Sequence, residues 1–150
     1  MNQRHEIDGT EQKSQSESIF TFPKGIPGFE HLRNFKLQEH NEMFSIFSAV
    51  EEDGISFITI NPFDFVHDYE FELSNDALAD IEVITREQIA VRCIVTWHSN
   101  RDKITVNLIA PIIFNTENLK GKQIILQNSE YTTRHALWSE VESEEQGGES

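Results

Sequence analysis

Polar and apolar residues alternate along several short stretches of this chain with the two-residue period of a β-strand. The clearest examples are Tyr69–Leu73, which reads Tyr-Glu-Phe-Glu-Leu, and Val91–Trp97. Because successive side chains of a strand point to opposite faces, this pattern is typical of strands with one buried face. It predicts eight strands: Ile19–Phe22, Phe35–Leu37, Phe44–Val50, Ile55–Asn61, Tyr69–Leu73, Val91–Trp97, Thr105–Leu108 and Gln123–Asn128.

Turn and helix signals separate these strands. Glu51–Gly54 is typical of a hairpin loop. Pro27-Gly28 predicts a type II turn, because proline fixes φ at the second position and glycine accepts a positive φ at the third. Short helical turns are predicted at Asn75–Ile81 and at Thr85–Ile89, and the second opens with the spacing of a capping box.

The composition favours the same fold class. The chain holds 17 Ile, 7 Val and 11 Phe, against 8 Leu and 6 Ala. β-branched and aromatic residues suit a pleated, half-buried surface, whereas strong helix formers are scarce here. Many short strands at spacings of about ten residues indicate an antiparallel barrel or sandwich. We predict an all-β fold, a small and mostly antiparallel β-barrel with one or two short helical turns.

Both ends of the chain differ in composition from the middle. Residues 1–18 are polar and charged, with Ile7 as their one large aliphatic residue besides Met1. Residues 139–150 carry five glutamates and no base. We therefore predict a flexible N-terminal tail at 1–18, one β-barrel domain at 19–138, and an acidic, disordered C-terminal tail at 139–150.

The net charge of −14 excludes several classes of protein. Such a chain does not neutralise phosphates by counterion release, so we expect no direct contact with nucleic acid. It offers no polybasic surface helix and no long apolar run, so we expect no membrane association. The N-terminus lacks a secretory pattern and Cys93 has no partner for a disulfide, which indicates the cytoplasm.

Catalytic and metal-binding chemistry has little support in the sequence. The chain carries no phosphate-binding glycine motif, no His-Glu-x-x-His and no Cys-x-x-Cys, and its six histidines are scattered. Cys93 alternates with apolar neighbours and so is predicted to face the core. We therefore predict no enzyme activity, no catalytic residue, no metal ligand and no cofactor. A small hydrolase using Cys93, or a histidine with a carboxylate, is the competing class.

Four carboxylates cluster around the Tyr69–Leu73 alternation. Glu70 and Glu72 share its polar face, and Asp64 and Asp68 precede them. A solvated face is the usual explanation for such residues. The alternative is a negative patch that steers a basic partner.

A proline interrupts the longest apolar run of the chain, which extends to Phe114 and Asn115. Pro111 predicts an edge strand or a bulge in the second half of that run, because proline cannot donate to a β-ladder. An apolar edge requires a cover. The cover is either a loop of this protein or a partner, and in the second case Pro111, Phe114 and Asn115 lie at the interface.

Taken together, the motifs of this chain resemble the FliW family of flagellar assembly factors over about Phe20–Leu137. Each motif alone is weak, and their order and spacing carry the resemblance. The motifs are Gly25–Phe29, Asn61–Phe63, Tyr69–Leu73, Asn107–Asn115, Gly121–Gln123 and Tyr131–His135.

The resemblance implies a non-enzymatic protein of the bacterial cytoplasm, monomeric when free. It implies two partners: flagellin and CsrA, a basic RNA-binding regulator of translation. Free protein then occupies CsrA outside its RNA site and relieves repression of flagellin translation, and accumulating flagellin reverses this. We place Asp64, Asp68, Glu70 and Glu72 at the CsrA surface as a hypothesis. A dedicated flagellin chaperone or adaptor without CsrA binding is the alternative.

Overall fold

The structure is a computed structural model that describes residues 17–127 and 129–138. Within this part of the chain, nine strands and one short α-helix form the regular structure. The strands are β1 (Glu17–Thr21), β2 (Asn34–Glu39), β3 (Phe44–Ala49), β4 (Ser56–Ile60), β5 (Ile89–Thr96), β6 (Thr105–Val106), β7 (Ile112–Asn115), β8 (Gly121–Gln123) and β9 (His135–Ala136). The helix is α1 (Asn75–Asp80), and single 3-10 turns lie at Pro62–Asp64, Arg86–Gln88 and Arg101–Lys103.

The strands form one antiparallel sheet that branches at β5. The first five strands follow one another as a meander, β1-β2-β3-β4-β5. The first half of β5 pairs with β7, and its second half pairs with β6, which in turn pairs with β9. β8 extends the sheet beyond β7. β5 is therefore the strand on which both branches of the fold depend.

The predicted all-β class is confirmed, but the predicted barrel does not close. In the described residues, the strand at one end of the path, β1, meets the chain just before β8 through a single isolated parallel bridge between Thr21 and Lys120. Its hydrogen bond runs from the Thr21 N–H to the Leu119 carbonyl at 2.9 Å. The described strands thus form an open sheet. None of the described helices is long and apolar enough to span a bilayer.

Both predicted helical turns are confirmed. Ser74 caps α1 by accepting a hydrogen bond from the Ala77 N–H at 3.1 Å. The predicted capping box forms at the Arg86–Gln88 turn. Gly28 adopts the positive φ of 88° that the type II turn requires.

Two predicted strands are wrong. Tyr69–Leu73 alternates in burial as expected, but it belongs to no strand. The last predicted strand, Gln123–Asn128, overlaps the observed β8 at Gln123 alone, and Asn128 lies outside the described residues. The predicted tails also lie outside them, except for Glu17 and Ser18, which form the start of β1.

The core is built on phenylalanine. Phe22, Phe35 and Phe47 are fully buried, and their rings contact one another at centroid distances of 5.5 to 5.8 Å. Aromatic pairs in such edge-on or tilted arrangements add stability beyond the area that they bury. A second cluster around Tyr69, Cys93 and Leu108 lies beneath the segment that carries the four carboxylates.

Candidate functional site

The apolar stretch after Pro111 is not an edge. β7 lies between two strands: Ile113 pairs with Val91 of β5 on one side and with Lys122 of β8 on the other. Pro111 and Asn115 are buried, and Phe114 is 1% exposed. The hypothesis that Pro111, Phe114 and Asn115 form a partner interface is therefore wrong, because strand β8 of this protein supplies the cover.

Asn115 instead connects three segments inside the molecule. Its side-chain amide donates to the carbonyls of Ile81 and Glu82, at 3.0 and 3.2 Å. Its side-chain oxygen accepts hydrogen bonds from the N–H groups of Glu117 and Asn118, at 2.9 and 3.3 Å. Because every polar group of this buried side chain is satisfied, its role is to fix the turn after β7 against the end of α1.

The four predicted carboxylates do lie on the surface. We call Asp64, Asp68, Glu70 and Glu72 the acidic segment; all four are exposed. Asp64 ends a 3-10 turn that begins with Asn61 as its cap. None of the four forms an ion pair with a residue of the described chain. Asp64 lies near the guanidinium of Arg92, whereas Asp68, Glu70 and Glu72 present negative charge without a neighbouring base in an ion pair.

Two tyrosines hold the acidic segment on the core. The buried Tyr69 hydroxyl donates to the Leu108 carbonyl at 2.7 Å. The Tyr131 hydroxyl accepts from the backbone N–H of Glu70 at 3.0 Å and donates to the Asp68 carbonyl at 3.3 Å. The two rings contact each other, with centroids 4.7 Å apart. The Tyr69 side chain and the backbone of Asp68 and Glu70 are thus hydrogen-bonded to the rest of the protein, while the carboxylates of the segment face solvent.

A groove lies on each side of this segment. The first, which we call the apolar groove, has a volume of about 540 Å³ and is lined by aromatic and aliphatic side chains, among them Phe63, Tyr69, Leu78, Ile89 and Val91. Phe63 forms an exposed part of its wall, with 45% of the residue exposed. Such a lining is typical of sites that bind apolar side chains.

The second groove, which we call the edge groove, has a volume of about 600 Å³. One wall is residues 70–77 and the other is the chain after β8, residues 124–127 together with 129–131. Glu70, Phe71 and Glu72 line both grooves, so this strip of the acidic segment separates them.

The charges around the two grooves differ. Among the described residues, the edge groove is lined by Glu70, Glu72 and Glu130 and by no base. The apolar groove includes one base, Arg86. Arg92 lies near Asp64, and its guanidinium is 3.8 Å from Glu39; burial lowers the pKa of Arg92, and these two carboxylates act in the opposite direction. The edge groove is therefore the more negative of the two.

Among the described residues that line the two grooves there is neither a cysteine nor a histidine. The described residues hold no group of three or more metal-ligating side chains. The Cys93 thiol is fully buried 3.8 Å from the Tyr69 hydroxyl, and burial raises its pKa to about 12. A thiol in that state is not a nucleophile at neutral pH. The arrangement is suited to binding partners through shape, apolar contact and negative charge.

Several residues of these grooves could not be assigned to a site from local sequence patterns. Tyr131 is one of them, because no local pattern indicates a hydrogen bond to a residue 61 positions away. Ile125 is 54% exposed although it was predicted within a strand. The sequence does indicate this exposure, because Ile125 directly follows Ile124. Two consecutive apolar residues cannot both face the same side of an extended chain, so one of them faces away from the core.

Comparison with known proteins gives one consistent family. The family model described as FliW protein matches residues 5–137. The flagellar assembly factor FliW of Clostridium kluyveri is 41% identical over 124 residues, which are 81% of this chain and 86% of that protein. The protein of the same name from Clostridium botulinum strain Langeland is 37% identical over 142 residues, 93% of this chain and 99% of that one.

A solved structure shows the same fold. The crystal structure of a flagellar assembly factor FliW superposes with a TM-score of 0.78 at 34% sequence identity. The match covers 81% of this chain and 86% of the other.

Proposed function

This chain belongs to the FliW family of flagellar assembly factors, and on that premise we propose that it binds flagellin and CsrA in the bacterial cytoplasm. In this proposal the free protein occupies CsrA and relieves repression of flagellin translation. Flagellin, once it accumulates, takes the protein away from CsrA. The observation that carries the proposal is the acidic segment, whose strip from Glu70 to Glu72 lines two different grooves.

The acidic segment supports the CsrA half of the proposal. Its carboxylates are exposed and have no ion-pair partner in the described chain. Complementary charge of this kind raises the association rate of a basic partner and selects against acidic ones. An RNA-binding regulator is a basic protein, and a protein of net charge −14 held beside its RNA site repels the phosphates of RNA.

Binding outside the RNA site has a thermodynamic consequence. If this protein lowers the affinity of CsrA for RNA by some factor, RNA lowers the affinity of CsrA for this protein by the same factor. The two effects therefore have to agree when they are measured separately.

The apolar groove supports the flagellin half. Flagellin ends in amphipathic helical segments, and such a helix binds by laying its apolar face into a groove. Phe63 offers an exposed aromatic ring there, 5.7 Å from the ring of Tyr69. The strip from Glu70 to Glu72 lines both grooves. A partner bound in one groove therefore contacts residues that a partner in the other groove also contacts, so the two partners compete for binding.

Charge reversal tests the CsrA half. In the variant Asp68→Lys, Glu70→Lys, Glu72→Lys, we expect CsrA to bind at least ~10-fold more weakly at low salt, since close charge pairs across interfaces contribute about 1.5 kcal/mol or more. Asp64 is left unchanged because of its interaction with Arg92. The matched control reverses three exposed carboxylates elsewhere, Glu42, Asp53 and Asp102. Equal affinities of the two variants for CsrA would remove the acidic segment from the interface.

A truncation tests the flagellin half. We expect Phe63→Ala to weaken flagellin binding about 10-fold or more, because exposed aromatic anchors dominate such interfaces. Val50→Ala is the control, since Val50 is similarly exposed, at 50%, and lies outside both grooves. A flagellin affinity that is the same for both variants would show that the apolar groove is not the site.

A further inference from the structure

The two walls of the edge groove are extended segments that lack backbone partners. On one wall, Phe71, Glu72 and Leu73 donate and accept no backbone hydrogen bond within the described chain. Their alternating burial, and the 5.5 Å separation of the Tyr69 and Phe71 rings, are those of an extended chain. This wall therefore has the hydrogen-bonding groups of a strand without a neighbouring strand.

The other wall continues the free edge of β8. Beyond that strand, the N–H groups of Ile124 and Leu126 donate to the carbonyls of Pro111 and Ile109, at 3.0 and 2.8 Å. The alternate residues, Ile125 and Gln127, make no hydrogen bond within the described chain. Because backbone groups of an extended chain point alternately to its two sides, those of Ile125 and Gln127 point away from the sheet, toward the groove.

An ion pair and two hydrogen bonds connect the elements that carry the two walls. Lys122 of β8 forms an ion pair with Asp80 of α1 at 3.0 Å. Tyr131, from the β8 side, binds the backbone of Glu70 and Asp68 on the opposite wall. The groove is thus a preformed slot, which reduces the entropy that a bound segment would otherwise lose through ordering of its site.

We propose that the edge groove binds an extended, basic segment of a partner protein as an added β-strand, hydrogen-bonded to both walls. Addition of a strand to a free edge is a recurrent mode of peptide recognition, in which backbone groups give affinity and alternate side chains give specificity. The inference concerns the mode of binding and does not rest on the proposed function.

The charge of the groove selects this occupant over the alternatives. Glu70, Glu72 and Glu130 line it without a base, so a segment with lysines or arginines is favoured. Residues 139–150 of this chain carry five glutamates and no base, and they are repelled. A second copy is also disfavoured, because a symmetric contact places the same carboxylates opposite one another. The exposed Ile125 provides the apolar contact for alternate side chains.

A synthetic peptide tests the proposal on the full chain. The probe is an acetylated octapeptide of alternating lysine and valine, titrated into the ¹⁵N-labelled protein at low salt. We expect saturable binding at millimolar peptide or below, with the amides of Ile125 and Gln127 exchanging with deuterium at least ~10-fold more slowly in the complex. The internal control is the pair Ile124 and Leu126, whose amides are already hydrogen-bonded and keep their exchange rates.

Modified peptides test the mode of binding. N-methylation of the lysine amides and N-methylation of the valine amides are each expected to abolish binding, because a strand between two walls uses both of its edges. A peptide with glutamate in place of lysine is expected not to bind. Absence of lysine-peptide binding, equal binding of the methylated peptides, or unchanged exchange at Ile125 and Gln127 would each overturn the proposal.

Discussion

The Tyr131 hydroxyl lies 3.0 Å from the backbone nitrogen of Glu70, and this one contact connects the end of the fold to the centre of its acidic segment. The same hydroxyl donates to the Asp68 carbonyl. The segment between Asp68 and Ser74 has few other backbone hydrogen bonds. Its position, and hence the positions of its carboxylates, therefore depends on tyrosines rather than on strand pairing.

We expect Tyr131→Phe to destabilise the protein by about 1 kcal/mol, because it removes partly exposed hydrogen bonds. We also expect faster hydrogen exchange at the Glu70 amide and weaker CsrA binding. Tyr69→Phe is the companion variant at the second anchor: it leaves a buried Leu108 carbonyl unpaired, and we expect it to cost about 1–3 kcal/mol. Urea denaturation and amide exchange measure these effects. An unchanged Glu70 exchange rate in Tyr131→Phe would contradict the anchoring role.

Asn115 tests the assignment of this residue to the interior. It was predicted at a partner interface, and the structure shows it buried. Asn115→Ala removes four hydrogen bonds and leaves the carbonyls of Ile81 and Glu82 without this donor. We expect a loss of about 3 kcal/mol in the free energy of unfolding, from the cost of buried unsatisfied groups. The affinity of the remaining folded protein for its partners is expected to stay unchanged. A stable variant with weakened partner binding would restore the interface hypothesis.

Cys93 gives a prediction about reactivity. Its thiol is buried and its pKa is raised to about 12 by that burial. At pH 8 we expect no reaction with a thiol reagent such as dithionitrobenzoate in native protein, and one equivalent of reaction after unfolding in urea. Rapid native labelling would show that the core around β5 opens readily.

The ion pairs of Asp80 lead us to expect that the stability of the protein depends on pH. Its carboxylate interacts with Lys122 and Lys24, at 3.0 and 3.1 Å, and their hydrogen bonds lower its pKa below 3.8. A lowered native pKa contributes stability above the unfolded value, and this contribution is lost as the pH falls through the native pKa. We expect Asp80→Asn to be less stable than the parent at pH 7, with a difference that shrinks below pH 3.8. Asp53→Asn, at an exposed loop carboxylate, is the control for the loss of one negative charge.

Local patterns predicted most of the fold. The strands of the meander, the helix at Asn75 and the capping box at Thr85 follow from periodicity and caps, which are properties of neighbouring residues. The alternation at Tyr69–Leu73 correctly predicted which side chains are buried and wrongly predicted a strand. Alternation reports the faces of an extended chain, whereas a strand also needs a hydrogen-bonded neighbour, which no local pattern reveals.

Local patterns also predicted only part of the candidate site, because they report which residues are exposed and not which distant segments lie side by side. The exposure of Asp64, Asp68, Glu70 and Glu72 could be predicted from the sequence, because charged residues avoid the core. The burial of Phe114 could not, since it depends on β8 pairing with β7, a matter of register between separate segments. The two grooves likewise arise from chain segments that are distant in sequence, such as Glu70 and Tyr131.

The partner switch itself is tested most directly by calorimetric titration of the protein with CsrA, first alone and then after saturation with flagellin. The proposal predicts tight binding to CsrA by the free protein and its loss when flagellin is bound. Binding of flagellin without any binding of CsrA would contradict it, and would leave a dedicated flagellin chaperone.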